Sequence, residues 1–383
     1  MVTTKNTHPN RKNIIPGLLV SAGVMFAGIF AADLIGELLV ESGIMPEGSG
    51  SPVSGIFTAI LLGILIRNLI GMPAVFDAGI NFALKYALRA GIILLGLRLS
   101  ISEALKLGAW GLPLIVACIS TGLFITLYFT KKLNQSMRLG TLIATGTGIC
   151  GVTAIMATAP VIKAKENEIS YAVANITIFG LIGMLFYPYL AHFFFADEPV
   201  KAGLFLGTAI HDTAQVTGAA LIYAQLFDAN EVIDVATITK LTRNVFIIVV
   251  IPFVSYLFFR SRRGNGESAG GELPKWYRLF PLFILGFLLL SVLRSIGDAT
   301  AASTGQAFGI LAPASWQGFH SFWSSFGSTY MLGLAMAGVG LSTNLRAFKG
   351  MGITPFYIGL IAAIAVGSVS LLLISVFGDL VTL

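Results

Sequence analysis

"TGTGICGVTAIMATAP", residues 145–160, carries Gly146, Gly148, Gly151 and Pro160, a row of threonines and no charge. It lies in an otherwise apolar chain and is written so that it can hardly remain a clean helix. Irregular backbone at membrane depth is tolerated only where it lines a cavity or is buried in protein. The stretch therefore predicts a broken segment inside a membrane-embedded helical protein. Gly146, Gly148 and Gly151 are the expected helix-break positions, and Thr145, Thr147, Cys150 and Thr153 are the polar or polarisable side chains beside them.

Composition supports that setting. Of 383 residues, 56% are hydrophobic and 11% charged, with a mean hydropathy of +0.86. A soluble domain carries about 25% charged residues, so the solvent for this surface is lipid. Apolar runs long enough to cross about 30 Å of hydrocarbon recur at 14–39, 53–70, 80–98, 107–130, 138–160, 169–195, 202–226, 234–259, 278–297, 326–342 and 353–380. The expected fold is thus an all-α polytopic membrane protein of about eleven transmembrane helices. The Gly- and Ser-rich stretch 303–322 reads as an outer loop or re-entrant piece. The first apolar run is too long for a signal peptide and lacks a cleavage site. Cys118 and Cys150 both lie in apolar runs, which excludes a disulfide framework or a cysteine metal cluster.

The net charge of +6 does not point to nucleic acid, because the cations sit in short loops as cytoplasmic cations do. Lys5, Arg11 and Lys12 place the N-terminus in the cytoplasm. Lys131, Lys132 and Arg138 mark one inner loop, the segment 260–278 with Arg260, Arg262, Arg263, Lys275 and Arg278 another, and Arg346 with Lys349 a third. Glu41, Glu47, Asp228, Glu231 and Asp234 fall on the opposite side. Two loops fit poorly: Arg98 and Lys106 fall outside, Asp197 and Glu198 inside.

With residues 1–52 set aside as an N-terminal segment with an extra helix, two five-helix groups remain, 53–195 and 196–383. An odd number of crossings per group inverts the second against the first, a recurring plan of secondary transporters with interrupted helices. "GLRLSISEALKLGAWGLP" (96–113) resembles "GVGLSTNLRAFKGMGITP" (338–355). A second match, "GTGICG" (146–151) with "GTAIHD" (207–212), runs in the same direction on this count and reads as chance. The run "MLGLAMAGVGLSTN" (331–344) is the expected inverted partner of the opening stretch. It has Gly338 and Gly340 as break positions and Ser342, Thr343 and Asn344 as polar groups.

Charged side chains at mid-membrane cost at least about 2.5 kcal/mol and often have a role. Thr208, His211, Asp212 and Gln215 follow the i, i+3, i+4, i+7 spacing of one helix face. They suit a proton or substrate site, or a polar clasp between helices. Thr237, Lys240, Arg243 and Asn244 share a second face, with Arg243 about 14 Å into its run. Two cations at that depth need negative partners: Asp212, Asp234 or a bound anion, for which the guanidinium fork is well shaped. Arg89, with Lys85 one turn away, is a third central cation, equally readable as structural.

"GTGICGVTAIMATAPVIKAKENEISYAVA", "GTAIHDTAQVTGAA", "KLTRN" and "LRAGIILLGLRLS" together resemble the family of bacterial inner-membrane proteins named as sulfate exporters. The resemblance runs from about residue 14 to the C-terminus. It implies the cation–proton antiporter and bile-acid transporter superfamily, two discontinuous helices crossing at mid-membrane, and a sulfur oxyanion as cargo. The family often has Ser and Glu where this chain has Thr147 and Asp212.

Taken together, these readings predict a secondary active transporter of a small anion (sulfate, sulfite or a sulfonate), coupled to a proton or ion by alternating access. Lys240, Arg243, Asn244, Gln215, the 145–153 loop and Ser342 to Asn344 would bind the anion, and His211 and Asp212 would carry the proton. The alternative is a cation–proton antiporter built on Asp212. No phosphate-binding loop and no metal motif is present, so neither ATP-driven transport nor a metal or cofactor enzyme is expected. The lipid bilayer is the expected partner, and the apolar faces of the first helix suit lipid or a second copy in a homodimer.

Overall fold

The computed structural model describes residues 14–43, 45–46, 51–262, 280–344 and 353–381. Lys5, Arg11, Lys12, Glu47, Arg263, Lys275, Arg278, Arg346 and Lys349, on which part of the orientation reading rests, lie outside the described residues. Among the described residues, apart from an isolated bridge between Ala307 and Leu311, every regular element is helical.

Helix α1 (Ile15–Glu41) packs against α2 (Gly55–Leu65), which extends through a π turn to Ile70. Ser54 caps α2 by accepting from the Phe57 N–H, and Gly71, at φ +87°, ends the run. Next come α3 (Asp77–Phe82), a π turn (Ala83–Ala87), α4 (Leu88–Leu95) and the long α5 (Ile101–Lys132). A capping box between Ser100 and Glu103 opens α5, and Lys131 and Lys132 close it, each satisfying the polarity of a helix end. After α5 the chain forms α6 (Met137–Gly148), α7 (Val152–Thr158), α8 (Glu166–Phe195), α9 (Pro199–Ala209), α10 (Thr213–Phe227), α11 (Glu231–Val245) and α12 (Ile247–Arg262). The last helices are α13 (Leu282–Thr304), α14 (Pro313–Phe326), α15 (Leu332–Ser342) and α16 (Ile353–Phe377). Among the described residues, six helices are long and apolar enough to cross a membrane, and α11 with α12, bent by 45°, makes a seventh. Length and apolarity thus give fewer continuous spans than the sequence runs suggest, because several runs fold as shorter helices.

Two of those runs are hairpins. Ser136, just before α6, donates to the Glu168 carboxylate in the first turn of α8 at 2.6 Å. The segment between them therefore starts and ends at one end of the molecule. A Cβ on Gly146 would stand 2.9 Å from Ile155 Cδ1, whereas an unbroken helix would hold these residues about 13 Å apart. The chain runs in along α6, turns at Ile149–Gly151, and returns along α7. Gly151 makes the turn at φ +64°, a conformation that suits glycine.

The helix pair α9–α10 does the same from the other end. Its break at Ile210–Asp212 interrupts the run 202–226. Phe227, the last residue of α10, stacks on His192 near the end of α8 at 3.7 Å, where α9 also begins. Since α8 has 30 residues, about 45 Å of helix, the two hairpins enter from opposite ends and their tips meet between them.

Gly338 and Gly340, expected as break positions, lie inside α15, which is continuous from Leu332 to Ser342. Their role is close packing. A Cβ on Gly340 would stand 3.1 Å from the Cα of Gly63 on α2, and small residues allow such backbone approach. Gly146 and Gly148 likewise lie within α6.

Candidate functional site

The hairpin tips are held together by α11. Lys240 and Arg243 lie one turn apart on it and are 1% and 0% exposed. The Lys240 ammonium donates to the carbonyls of Ile149 and Ile210, each at 3.0 Å, and to that of His211. Arg243 donates through Nε to Gly148 at 3.1 Å and through Nη2 to Thr147 at 2.7 Å. Its Nη1 reaches Thr208 at 2.5 Å and Ile210 at 3.4 Å. These carbonyls end α6 and α9, where no residue further along the helix is placed to donate to them. The ends carry the negative pole of each helix dipole. Two buried cations thus find their negative partners in backbone rather than in carboxylates.

The outgoing halves present the opposite polarity. Asp212 N-caps α10, accepting from the Ala214 N–H at 2.9 Å. Its carboxylate also lies close over Gly151, where a Cβ would approach Oδ2 to 2.7 Å. A glycine at 151 is therefore needed twice, for the positive φ and for room beside Asp212.

A cavity of about 560 Å³ opens beside the tips. Of the residues predicted from sequence, it gathers Cys150 and Thr153 from the first hairpin and Asp212 and Gln215 from the second. Asn244 joins them from α11, and Ser342 and Thr343 from the end of α15. Asn244 Nδ2 donates to Thr213 Oγ1 at 3.1 Å, and Gln215 Nε2 to the Thr177 carbonyl at 3.1 Å. Lys85 and Arg89, both exposed, line the same space with Phe283, and the Arg89 guanidinium carbon lies 6.0 Å from the Phe283 ring centroid. Neither cation makes an ion pair among the described residues.

Other predicted residues lie elsewhere. Thr145 is buried and bonds back to Thr141 and Leu142 within α6. Among the described residues, the hydroxyl of Thr147 and Nδ1 of His211 are buried without a hydrogen-bond partner. Neither residue lines the cavity, nor do Lys240, Arg243 and Asn344. Thr208 shares a 2.7 Å hydrogen bond with Ser370 of α16. Thr213 and Thr177 line the cavity without having been singled out. Thr213 was legible as the residue after a mid-run Asp, but nothing in the sequence near Thr177 marks it.

Among the described residues no group of His, Cys, Asp and Glu is placed to hold a metal ion. The misplaced charge of Arg98 also has a partner, since it forms an ion pair with Asp234 at 3.1 Å at the end where both hairpin 2 and α11 begin.

A family model described as conserved hypothetical protein 698 matches residues 17–359. A UPF0324 membrane protein of Fusobacterium nucleatum is 34% identical over 86% of this chain and 91% of its own length. One of Bacillus cereus is 34% identical over 84% of this chain and 86% of its own. One of Streptococcus pneumoniae is 34% identical over 89% and 94%. With the long apolar helices above, these likenesses establish that the chain belongs to the conserved hypothetical protein 698 family, the UPF0324 membrane proteins, and is a multi-pass membrane protein.

Proposed function

We propose that the protein is a secondary transporter of a small anion, with the cavity beside the hairpin tips as its binding site. The observation that carries this reading is the charge lining that cavity: Lys85 and Arg89 against the carboxylate of Asp212, with neither of these two cations in an ion pair among the described residues. Arg89 offers the planar fork suited to an oxyanion and Lys85 a point charge one turn away. Lys240 and Arg243, the cations assigned to the anion from sequence alone, serve instead to fix the tips that wall the site. The resemblance noted above makes a sulfur oxyanion the cargo, and Asp212 is the group through which a coupling proton or ion acts.

The hairpins also support an inverted architecture. The unit α6–α7–α8 enters from one end and then crosses, and α9–α10–α11 repeats that course from the other. "GTGICG" and "GTAIHD" fall at equivalent places in the two units, each ending a helix and making the turn. With hairpins at these two places, Asp197 and Glu198 move to the side of Asp228 and Glu231, while Lys163 and Lys165 join Lys131 and Arg138. The acidic loop that fitted poorly now obeys the positive-inside rule, with the Lys131 end in the cytoplasm.

The test is a thermal-shift series on the purified protein with sulfate, sulfite, thiosulfate, phosphate, chloride, Na⁺ and Li⁺, since a ligand that prefers the folded state raises its melting temperature. An oxyanion should stabilise the wild type and not Arg89→Gln. Stabilisation by Na⁺ or Li⁺ alone, lost in Asp212→Asn, would instead make the chain a cation antiporter.

A further inference from the structure

The cavity holds charges of both signs that do not meet. Arg89 and Lys85 line it from α4 and the π turn before it, and Asp212 from the tip of the second hairpin. Among the described residues no ion pair joins them. Asp212 accepts from the Ala214 N–H and from the Val152 N–H at the start of α7. It stays partly open to the cavity, as does Thr213, and Thr153 and Ser342 are exposed there.

From this juxtaposition, and resting on the reading of the cavity as an anion site, we infer that the preferred ligand is a zwitterion. Its anionic group sits on Arg89 and Lys85, and a protonated amine a few bonds away sits on Asp212. A bare oxyanion would satisfy the cations while sharing the cavity with the Asp212 carboxylate, which repels it. A ligand carrying its own ammonium removes that repulsion and gains a charge-assisted hydrogen bond. The cavity volume of about 560 Å³ also exceeds what a single tetrahedral oxyanion fills, leaving room for an amine-bearing arm. In this arrangement Asp212 binds the ligand itself, and the hydroxyls of Thr153, Thr213 and Ser342 complete the polar lining.

The test compares two isosteric probes on the full-length protein in detergent: propane-1-sulfonate, and 2-aminoethanesulfonate, in which a protonated amine replaces the terminal methyl group at neutral pH. Isothermal titration should give 2-aminoethanesulfonate roughly 10- to 100-fold tighter binding to the wild type. Asp212→Asn keeps a good helix cap, so it should fold. It should erase the preference by tightening propane-1-sulfonate binding, as the repulsion goes, and weakening that of 2-aminoethanesulfonate. Arg89→Gln should weaken both probes alike. Equal affinity of the two probes for the wild type, or a preference that survives in Asp212→Asn, overturns the zwitterion inference and leaves the anion site standing. If neither probe nor sulfate binds folded wild type, the anion reading falls and this inference with it.

Discussion

Replacing Arg243 by Met should cost the fold more than it costs ligand recognition. The guanidinium is fully buried and donates to Thr147, Gly148, Thr208 and Ile210. Met fills much of the volume but leaves those carbonyls without donors. Each hydrogen bond involving a charged group is worth about 1.5–3 kcal/mol, but the bonds share one desolvated cation and do not add. The cost of removing one member of a buried charged constellation, about 3–5 kcal/mol, is the better guide. At about 2 °C per kcal/mol, the lower value for large domains, the melting temperature should fall by roughly 6–10 °C. Arg89→Met, at an exposed cavity position, should change stability by no more than about 0.5 kcal/mol while abolishing stabilisation by sulfate. Tryptophan fluorescence reads both, since the chain has four tryptophans. A melt of Arg243→Met within about 1 °C of wild type, on the same scale, combined with loss of the sulfate response, would assign that guanidinium to the ligand and refute the clamp.

Gly151→Ala must place a Cβ 2.7 Å from the Asp212 carboxylate at φ +64°; it should destabilise by about 1–3 kcal/mol and weaken ligand binding in the same titration. Breaking the Arg98–Asp234 pair by Asp234→Asn leaves a partly buried guanidinium uncompensated. Discounted for the solvent that reaches Arg98, the cost is about 1–2 kcal/mol, read as a lower melting temperature that Arg98→Met in the same chain largely restores. In a background without Cys118 and Cys150, an impermeant thiol reagent should label Glu166→Cys from the same side of the membrane as Lys132→Cys, and Asp197→Cys from the other. Labelling of Glu166→Cys and Lys132→Cys from opposite sides would mean that the 138–160 segment crosses.

What the sequence made legible was the anomaly, and what it concealed was the direction. Glycines at 146, 148 and 151 announce a break, and the turn falls at Ile149–Gly151. A hydropathy run does not say whether a broken segment continues or turns back, because both forms are equally apolar. Counting each run as a crossing put Asp197 and Glu198 on the wrong side of the charge pattern and made "GTGICG" and "GTAIHD" seem to run in the same direction. Contacts remote in sequence, Ser136 with Glu168 and Phe227 with His192, reverse that reading. The partner break was sought at Gly338 and Gly340, whose spacing serves helix packing equally well. The cations were similarly ambiguous. A buried Lys240 and Arg243 require negative potential, but helix-end carbonyls supply it without any residue code, so the sequence offered only carboxylates and ligands as partners. Arg89 was visible as a central cation, yet Phe283 and Ser342, which line the same cavity, come from far along the chain.

The clamp bears on how such a site could change its exposure. Lys240 and Arg243 bond backbone from both hairpins, so neither tip can leave α11 without stranding a buried cation, at the several-kilocalorie cost argued above. The tips, α11 and the helix α8 packed against both hairpins therefore move together if they move at all. The cavity's remaining wall comes from α4, α13 and α15, and the chain just after α4 is tied to this group at its outer end by the Arg98–Asp234 ion pair. The plane between these two groups runs through the cavity, with Asp212 on one side and Arg89 on the other. A ligand that binds both charges bridges that plane. Its binding energy is available to draw the two groups together, which neither a bare anion on Arg89 nor a lone cation on Asp212 could do alone.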